Sequence, residues 1–376
     1  MDFQFGIEHE IAFLRPDGTF ADFSNTTFAE FEAIIVQLPR YEQDYAHLRR
    51  GDAGIRDKRW YIEGYERFDE TGRMVGCVPK GIEIRTTIHS SIEGAIAQLR
   101  HSFDQLQAAA AGFIPVLTSF NPRLTRFEPS PPFNAYEKQR QANSPEERTE
   151  SIPMVTYGPD LNLSFSDLPT RQLVDVARKL TFYSPGLIPF SYSSPFFANC
   201  PWAGLSARTF YRTGMRPAVT VYLPEGEPLL SVQPPLTKTA QLPAEVGRIE
   251  FKAFDSCGDF ELYASLFALL KGLILDKTLT GRATIPDADL HQRSARLGWE
   301  DRAIYEMGQR ALAAAAWALR DDIDEQLLKP LEKMLCDRTT PAHRMLEAYE
   351  QGRSIEAVLE RGYGTHQAAS PVLVSG

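Results

Sequence analysis

Four segments of the chain alternate between apolar and polar residues with the two-residue period of a β-strand that buries one face. These segments are GIEHEIAF (6–13), GIEIRTTI (81–88), GPDLNLSF (158–165) and RIEFKAF (248–254). Successive side chains of a strand point to opposite faces, so each segment would present an apolar face and a face of acids, amides or cations. The pattern predicts a sheet whose apolar face packs on helices.

Other segments complete a mixed pattern in which strand signals dominate the first half and helix signals the last third. Further strands are predicted at 59–68 and 73–78, as a hairpin around the turn DETG (69–72), and at 112–120 and 218–223. Helices are predicted over 26–38, 92–111 and 169–183, and repeatedly from residue 260 onward. The proline-rich stretch 121–150 reads as a long surface loop with a short helix near 135–142, and 191–217 reads as irregular.

The organisation of these elements predicts an α+β protein. The chain shows no internal repeat and no strong linker. We therefore expect one domain over residues 1–365, rich in helix from about residue 259, and a flexible tail over 366–376.

The composition limits the classes of molecule that we expect the protein to bind. The formal net charge is -9, and no run of Lys or Arg is longer than a pair. General nucleic-acid binding is therefore not expected, because a phosphate backbone needs a basic surface. Four scattered cysteines without a CxxC spacing, no signal peptide and no long apolar run predict a cytoplasmic protein that acts on small molecules without a membrane.

The polar faces of the four alternating segments carry the candidate chemistry. One such face on its own is most often the solvated side of an edge strand, whereas four of them favour a cavity lining. Carboxylate and amide oxygens are the ligands that Mg²⁺ prefers. The residues that share these faces are Glu8 and Glu10, Glu83 and Arg85, Asp160, Asn162 and Ser164, and Arg248, Glu250 and Lys252.

An arginine block supplies candidate partners for anions. Arg208, Arg212 and Arg216 fall within nine residues of the stretch LSARTFYRTGMRP, close to Trp202. Arg forks match carboxylate and phosphate oxygens, so we interpret the block as a pocket wall. His9, on the apolar side of the first segment, is predicted to be a core residue rather than a base.

Five motifs together resemble the plant-type glutamate–cysteine ligases of the glutamine-synthetase-like superfamily. They are GIEHE, VPKGIEIR, DLNLSF, SSPFFANCPWAGLSARTFYRTGMRP and RIEFKAFD, which follow in the same order from residue 6 to about residue 255. The resemblance implies a curved, mainly antiparallel sheet that forms a funnel with helices outside. It also implies an ATP-dependent ligase that joins the γ-carboxylate of glutamate to the amine of cysteine through an acyl phosphate, as in glutathione biosynthesis.

The resemblance also implies roles for individual residues. Carried over by position, Glu8, Glu10, Glu83 and Glu250 would hold Mg²⁺ or Mn²⁺. Arg208, Arg212 and Lys252 would be catalytic, and Asn162 would line the nucleotide or metal site. The strand faces and the arginine block, rather than the resemblance, add Asp160 as a catalytic candidate, and Arg85, Ser164, Arg216 and Trp202 as candidates that bind substrate or nucleotide.

Several alternatives stay open from the sequence. The block between the LS·R and RTG elements is shorter than in relatives, which favours a related ligase with another amine acceptor. A metal-dependent hydrolase or a non-catalytic binding protein would use the same carboxylate face. Asp160 and Glu63 are both candidates for the base that deprotonates the amine, and 121–150 is a candidate lid.

Overall fold

The computed structural model describes residues 2–48, 58–144, 147–149, 151–165 and 168–364. Its main sheet has the strand order β10-β9-β11-β6-β1-β4-β3 and curls into an open half-barrel, while β2 and β5 pair with the far end of β1. The strands are β1 Phe3–Leu14, β2 Phe20–Ala21, β3 Trp60–Phe68, β4 Met74–Arg85, β5 Ile114–Val116, β6 Pro159–Phe165, β7 Phe196–Phe197, β8 Cys200–Pro201, β9 Val219–Leu223, β10 Thr237–Thr239 and β11 Ile249–Phe251.

Eleven α-helices lie within the described residues. They are α1 Phe28–Ile35, α2 Ile92–Ala109, α3 Ala135–Asn143, α4 Thr170–Leu187, α5 Ala207–Arg212, α6 Phe260–Leu275, α7 Ala288–Leu297, α8 Arg302–Ala318, α9 Lys329–Asp337, α10 Pro341–Glu350 and α11 Ile355–Glu360. In this part of the chain, no helix combines the length and the apolarity needed to cross a lipid bilayer.

The strand β1 lies at the centre of the sheet because both of its edges are paired. It runs antiparallel to β4 on one side and to β6 on the other, and β11 continues the sheet beyond β6. Within the described part of the chain, the β9–β10 pair is the only parallel pair on the main path. The mainly antiparallel, curved α+β architecture expected from the sequence is confirmed.

The apolar face of the sheet packs on helices, as the alternating pattern predicts. Ile7 and Ile11 of β1 are almost fully buried in the core. The helix α6 is apolar around most of its circumference and lies between α2 and α8, so it forms the centre of the helical layer. His9 is also buried on this side, between the hydroxyl groups of Tyr263 and Tyr363, and its prediction as a core residue is confirmed.

Three element predictions were wrong in detail. The strands expected at 73–78 and 81–88 are one strand, β4, whose pairing with β3 shifts register at Glu63 and Gly64. The bulge leaves Lys80 as the extra, unpaired residue of β4, and Gly64 approaches so closely that a Cβ there would lie 2.1 Å from the Val78 carbonyl oxygen. The strand expected at 112–120 is limited to β5. The predicted tail 366–376 lies outside the described residues and stays a prediction.

The loop after β5 is fastened to the β3–β4 hairpin by the short helix predicted near 135–142. Glu137 of α3 is only 1% exposed, and its carboxylate accepts hydrogen bonds from the Arg67 guanidinium at 2.7 and 3.0 Å. The same carboxylate accepts from the Phe68 amide at 3.0 Å. The role of this loop as a lid stays a prediction.

Candidate active site

The strand register brings acids of β1, β4, β6 and β11 together on the polar face of the sheet. On β1, Glu8 lies opposite Asp160 of β6, and Glu10 lies opposite Glu83 of β4. On the far side of β6, Glu250 of β11 lies opposite Asn162. Because partners in antiparallel strands point to the same face, the separate polar positions of the sequence become one surface.

The acids form two groups of three. The first trio is Glu8, Asp160 and Glu250, and the second trio is Glu10, Glu63 and Glu83. Within each trio, one oxygen from every carboxylate lies within 4.8 Å of the others. Three oxygen donors at this spacing suit a hard divalent cation such as Mg²⁺ or Mn²⁺.

The first trio is surrounded by cations. The Lys252 ammonium contacts the Asp160 carboxylate and lies 2.8 Å from Glu250 Oε2, while Arg248 lies 3.6 Å from Glu250 Oε1. Burial raises the pKa of Glu250, but these cations outweigh burial and lower that pKa to about 2. Burial, followed by the Glu250 and Asp160 charges, raises the pKa of Glu8.

The negative charge of the second trio is less fully balanced by nearby cations. Lys80, only 1% exposed, pairs with Glu10 at 2.9 Å and donates its other hydrogen bonds to the carbonyls of Pro153 and Thr156. Glu83 is buried, and its Oε1 has no hydrogen-bond partner. Burial, followed by the neighbouring glutamates, raises the pKa of Glu83 well above its ordinary value.

Buried oxygen atoms without a hydrogen-bond donor indicate whether a divalent cation would fit at the two trios. A buried carboxylate oxygen without a donor costs free energy, and a cation bound there would remove that cost. Asn162 Oδ1, on the same face beside the first trio, is also buried without a partner. The oxygen donors of both trios therefore suit a divalent cation, and at the first trio Lys252 already contacts two of the three acids.

The opposite wall is formed by the arginine block, which is partly helical rather than irregular. Arg208 and Arg212 lie on α5, whose first turn is capped by the Ser206 hydroxyl. Arg208 donates to the Phe254 carbonyl at 2.7 Å and the Lys252 carbonyl at 3.1 Å. Arg212 donates to the same Lys252 carbonyl at 2.9 Å.

This wall carries excess positive charge. Burial, followed by the charges of Arg208 and Arg216, lowers the pKa of Arg212 well below its ordinary value. Arg216 reaches across to the Thr149 hydroxyl at 3.2 Å. Three guanidinium groups that repel one another at a cavity are stabilised by an anion between them.

Sequence reasoning missed three residues that position these groups. Gly158 donates its amide to Glu10 Oε2 at 2.9 Å and leaves space for the Arg208 guanidinium. Asp255 is fully buried, faces Arg208 at 3.9 Å and accepts hydrogen bonds from serine groups of the 193–206 segment. Lys80 and Asp255 lie inside two of the quoted motifs, but only the folded structure shows that they contact site residues.

The two walls enclose a cavity of about 260 Å³. The predicted site residues that line it are Glu8, Glu10, Glu83, Asp160, Arg208, Arg212, Arg216 and Lys252. Glu63 and Tyr61 of β3 line it too, so both candidate bases, Asp160 and Glu63, border the same space. A larger cavity, of about 510 Å³, lies near α10 and α11, but its described lining contains no acid other than Asp259.

Five predicted site residues are not in that described lining. Glu250 is held against it by Lys252, and Asn162 shares its sheet face. Arg85 lies opposite Glu8, stacks on Tyr61 and donates to the Lys58 carbonyl at 2.8 Å. Ser164 contacts Gln4 farther along β6, and Trp202, in the segment between β8 and α5, packs on Phe210.

The fold is shared with solved ligase structures. A glutamate–cysteine ligase from Francisella tularensis, in complex with AMP, superposes with a TM-score of 0.55 at 12% identity, covering 96% of this chain and 88% of that one. A bifunctional glutathione synthetase from Pasteurella multocida gives a TM-score of 0.61 at 13% identity; this chain is 96% covered but spans only 52% of that protein. The sequence matches no protein-family model and no curated protein sequence. The likeness confirms the expected fold.

Proposed function

We propose that this protein is an ATP-dependent carboxylate–amine ligase that phosphorylates a substrate carboxylate and then transfers the acyl group to an amine. The observation that carries the proposal is the pairing of two carboxylate trios with a wall of three arginines across one cavity. A polyphosphate needs such an arrangement, because bound cations hold its oxygens from one side and guanidinium groups hold the transferred group from the other.

The residues divide between holding metal and holding the reacting groups. The first and second trios would each hold a Mg²⁺ or Mn²⁺ ion, and these ions would neutralise charge on the ATP phosphates. Arg208 and Arg212 are fixed by backbone carbonyls, so their remaining N–H groups are oriented before substrate binds. Lys252 lines the cavity and would contact a phosphate oxygen.

The reaction then proceeds in two balanced steps. An oxygen of the substrate carboxylate attacks the γ-phosphorus, the bond to the β–γ bridging oxygen breaks, and ADP leaves. The amine nitrogen then attacks the acyl carbon, phosphate leaves with the electron pair of the carbon–oxygen bond, and a base takes the proton from nitrogen. The base is Asp160 or Glu63, the two acids that were candidates from the sequence and that border the cavity.

For the finer assignment, we propose glutamate as the carboxylate substrate and cysteine as the amine. The five sequence motifs support this choice, and so does the fold likeness to a glutamate–cysteine ligase. A related ligase with another amine is the alternative favoured by the short arginine block.

The direct test measures phosphate release from ATP with Mg²⁺ and glutamate, with and without cysteine. We expect release that depends on both amino acids. Hydroxylamine in place of cysteine should give a glutamyl hydroxamate, because it traps an acyl phosphate. Release with glutamate and another amine would retain the ligase and reject cysteine.

A pair of matched variants separates the site from the fold. Glu10→Gln removes one charge from the second trio and should abolish turnover, whereas Glu70→Gln removes one charge from the exposed hairpin turn and should leave turnover unchanged. Substrate hydrolysis without ATP would instead indicate a metal-dependent hydrolase. Nucleotide binding without any turnover, across a panel of acids and amines, would indicate a binding protein.

A further inference from the structure

The first trio already contains a cation, and that cation is a side chain of the protein. Lys252 Nζ bridges two of the three acids, Asp160 and Glu250. The ammonium nitrogen lies 2.8 Å from Glu250 Oε2 and also contacts Asp160 Oδ2. An ammonium group has three donors and a compact charge, so it satisfies the same lone pairs that a metal ion would use.

A divalent ion and this ammonium group cannot both use these oxygens well. Mg²⁺ and Mn²⁺ draw carboxylate oxygens into a compact shell, with oxygens about 2.0–2.1 Å from Mg²⁺. The same oxygens now point at Lys252 Nζ, and like charges in a partly buried site repel strongly. Metal binding at the first trio therefore requires Lys252 to move.

Lys252 has room to move, whereas the other lysine of the site does not. Its side chain is 20% exposed and lines the cavity, facing the space where phosphate oxygens would enter. Lys80, by contrast, is 1% exposed and uses its donors on Glu10 and two backbone carbonyls. Lys80 therefore touches one acid of the second trio and leaves the Glu83 Oε1 atom without a partner.

We propose that Lys252 is the resident counter-cation of the first trio, and that it competes directly with a divalent ion for Asp160 and Glu250. At the second trio, Lys80 contacts Glu10 and two backbone carbonyls, and Glu83 Oε1 is left without a partner, so this trio binds a free ion first. This inference rests on the proposed function in one respect: the group that Lys252 would contact after it leaves the acids is a phosphate of the proposed ATP substrate. Its test measures ion binding and needs no turnover.

The experiment counts Mn²⁺ ions bound to the whole chain without nucleotide, from the electron paramagnetic resonance signal of free Mn²⁺. For the wild type we expect one tight ion and a second that binds at least about tenfold more weakly. Lys252→Gln should bind the second ion at least about tenfold more tightly than the wild type does, because the competing charge is gone.

Three variants make the result specific. Lys252→Arg keeps the charge and should bind Mn²⁺ like the wild type. Lys277→Gln makes the same change of net charge in an exposed loop residue and should leave the isotherm unchanged. Glu250→Gln combined with Lys252→Gln should remove the gain in affinity, because the trio has then lost an acid.

Two outcomes would overturn the proposal. One is an unchanged Mn²⁺ isotherm for Lys252→Gln in a protein whose urea unfolding shows that it is folded. The other is two equally tight ions in the wild type, a result that does not depend on whether any variant folds. A catalytically inactive protein that shows the predicted isotherms would reject the proposed reaction and retain this inference.

Discussion

Substituting Gly158 with Ala should disturb the site from outside the acid trios. The residue is buried immediately before β6, and a Cβ there would lie 2.1 Å from Arg208 Nη2 and 2.4 Å from Arg208 Cζ. These separations are far below van der Waals contact. Either the methyl group or the guanidinium must therefore be displaced.

The displacement is costly because Arg208 is fixed. The side chain is 4% exposed, and its guanidinium donates to the carbonyls of Phe254, Ala253 and Lys252. Overpacking a core costs about 1–3 kcal/mol, and each hydrogen bond lost by a charged group costs about 1.5–3 kcal/mol. We expect Gly158→Ala to lower the free energy of unfolding by about 2–3 kcal/mol, because the chain will adopt the less costly distortion.

Activity should fall further than stability. An arginine that has moved no longer presents its free N–H groups to the cavity, so we expect turnover to fall about 10²–10³-fold. Urea unfolding gives the stability term, and phosphate release gives the activity. Gly76→Ala is the matched control: Gly76 lies in strand β4, and a Cβ there would meet no atom within 4 Å.

A double-mutant cycle decides whether the clash is the cause. In the Arg208→Ala background the methyl group has nothing to displace, so Gly158→Ala should then cost less than about 0.5 kcal/mol. An equal cost in both backgrounds would refute the reasoning, as would a Gly158→Ala protein that behaves like Gly76→Ala.

Three further predictions follow from buried titratable groups. Glu83→Gln should raise the urea midpoint of the metal-free protein, because it removes a charge that burial and the neighbouring glutamates disfavour. The same change should weaken Mn²⁺ binding at least about tenfold. A lower midpoint with unchanged Mn²⁺ binding would contradict this prediction. Burial lowers the pKa of His9 to about 3, so as the pH falls through 6.5 the unfolded chain binds a proton that the folded chain does not. Between pH 7 and 5 the wild type should therefore lose about 2 kcal/mol more unfolding free energy than His9→Gln. Parallel pH profiles of the two proteins would show that His9 does not cause the pH dependence. Glu137→Gln should lower the free energy of unfolding by about 3 kcal/mol, because Arg67 loses its buried charged partner. Urea unfolding measures this cost, with Glu70→Gln as the control. A cost no larger than that of the control would show that the Arg67–Glu137 pair does not hold α3 on the hairpin.

The acids of the site were predictable because the two-residue period of a strand can be read from a few neighbouring residues. Glu8 and Glu10 share a face for any strand that contains them, and the same holds for Glu250 and Lys252. The sequence alone does not give the register that joins different strands. The division into two trios depends on pairings such as Glu8 with Asp160, which are tertiary facts.

The positioning residues were not predictable for the same reason. Lys80 precedes a strand-like segment, and in the sequence it resembles an exposed lysine. Its burial comes from the carbonyls of Pro153 and Thr156, which are distant in the chain. The helix α5 is six residues long, too short for a periodic signal among the glycine, proline and aromatic residues around it.

The central position of β1 has a consequence for how the chain reaches its native state. Phe3–Leu14 pairs with Met74–Arg85, but its other edge must wait for Pro159–Phe165, and Glu250 arrives only when Ile249–Phe251 docks on that strand. Non-local pairings of this kind form slowly and leave a strand edge open in the meantime. An ion at the first trio, whose acids come from β1, β6 and β11, can therefore bind only after these segments have met. Such an ion would stabilise the folded protein by slowing its unfolding rather than by speeding its folding.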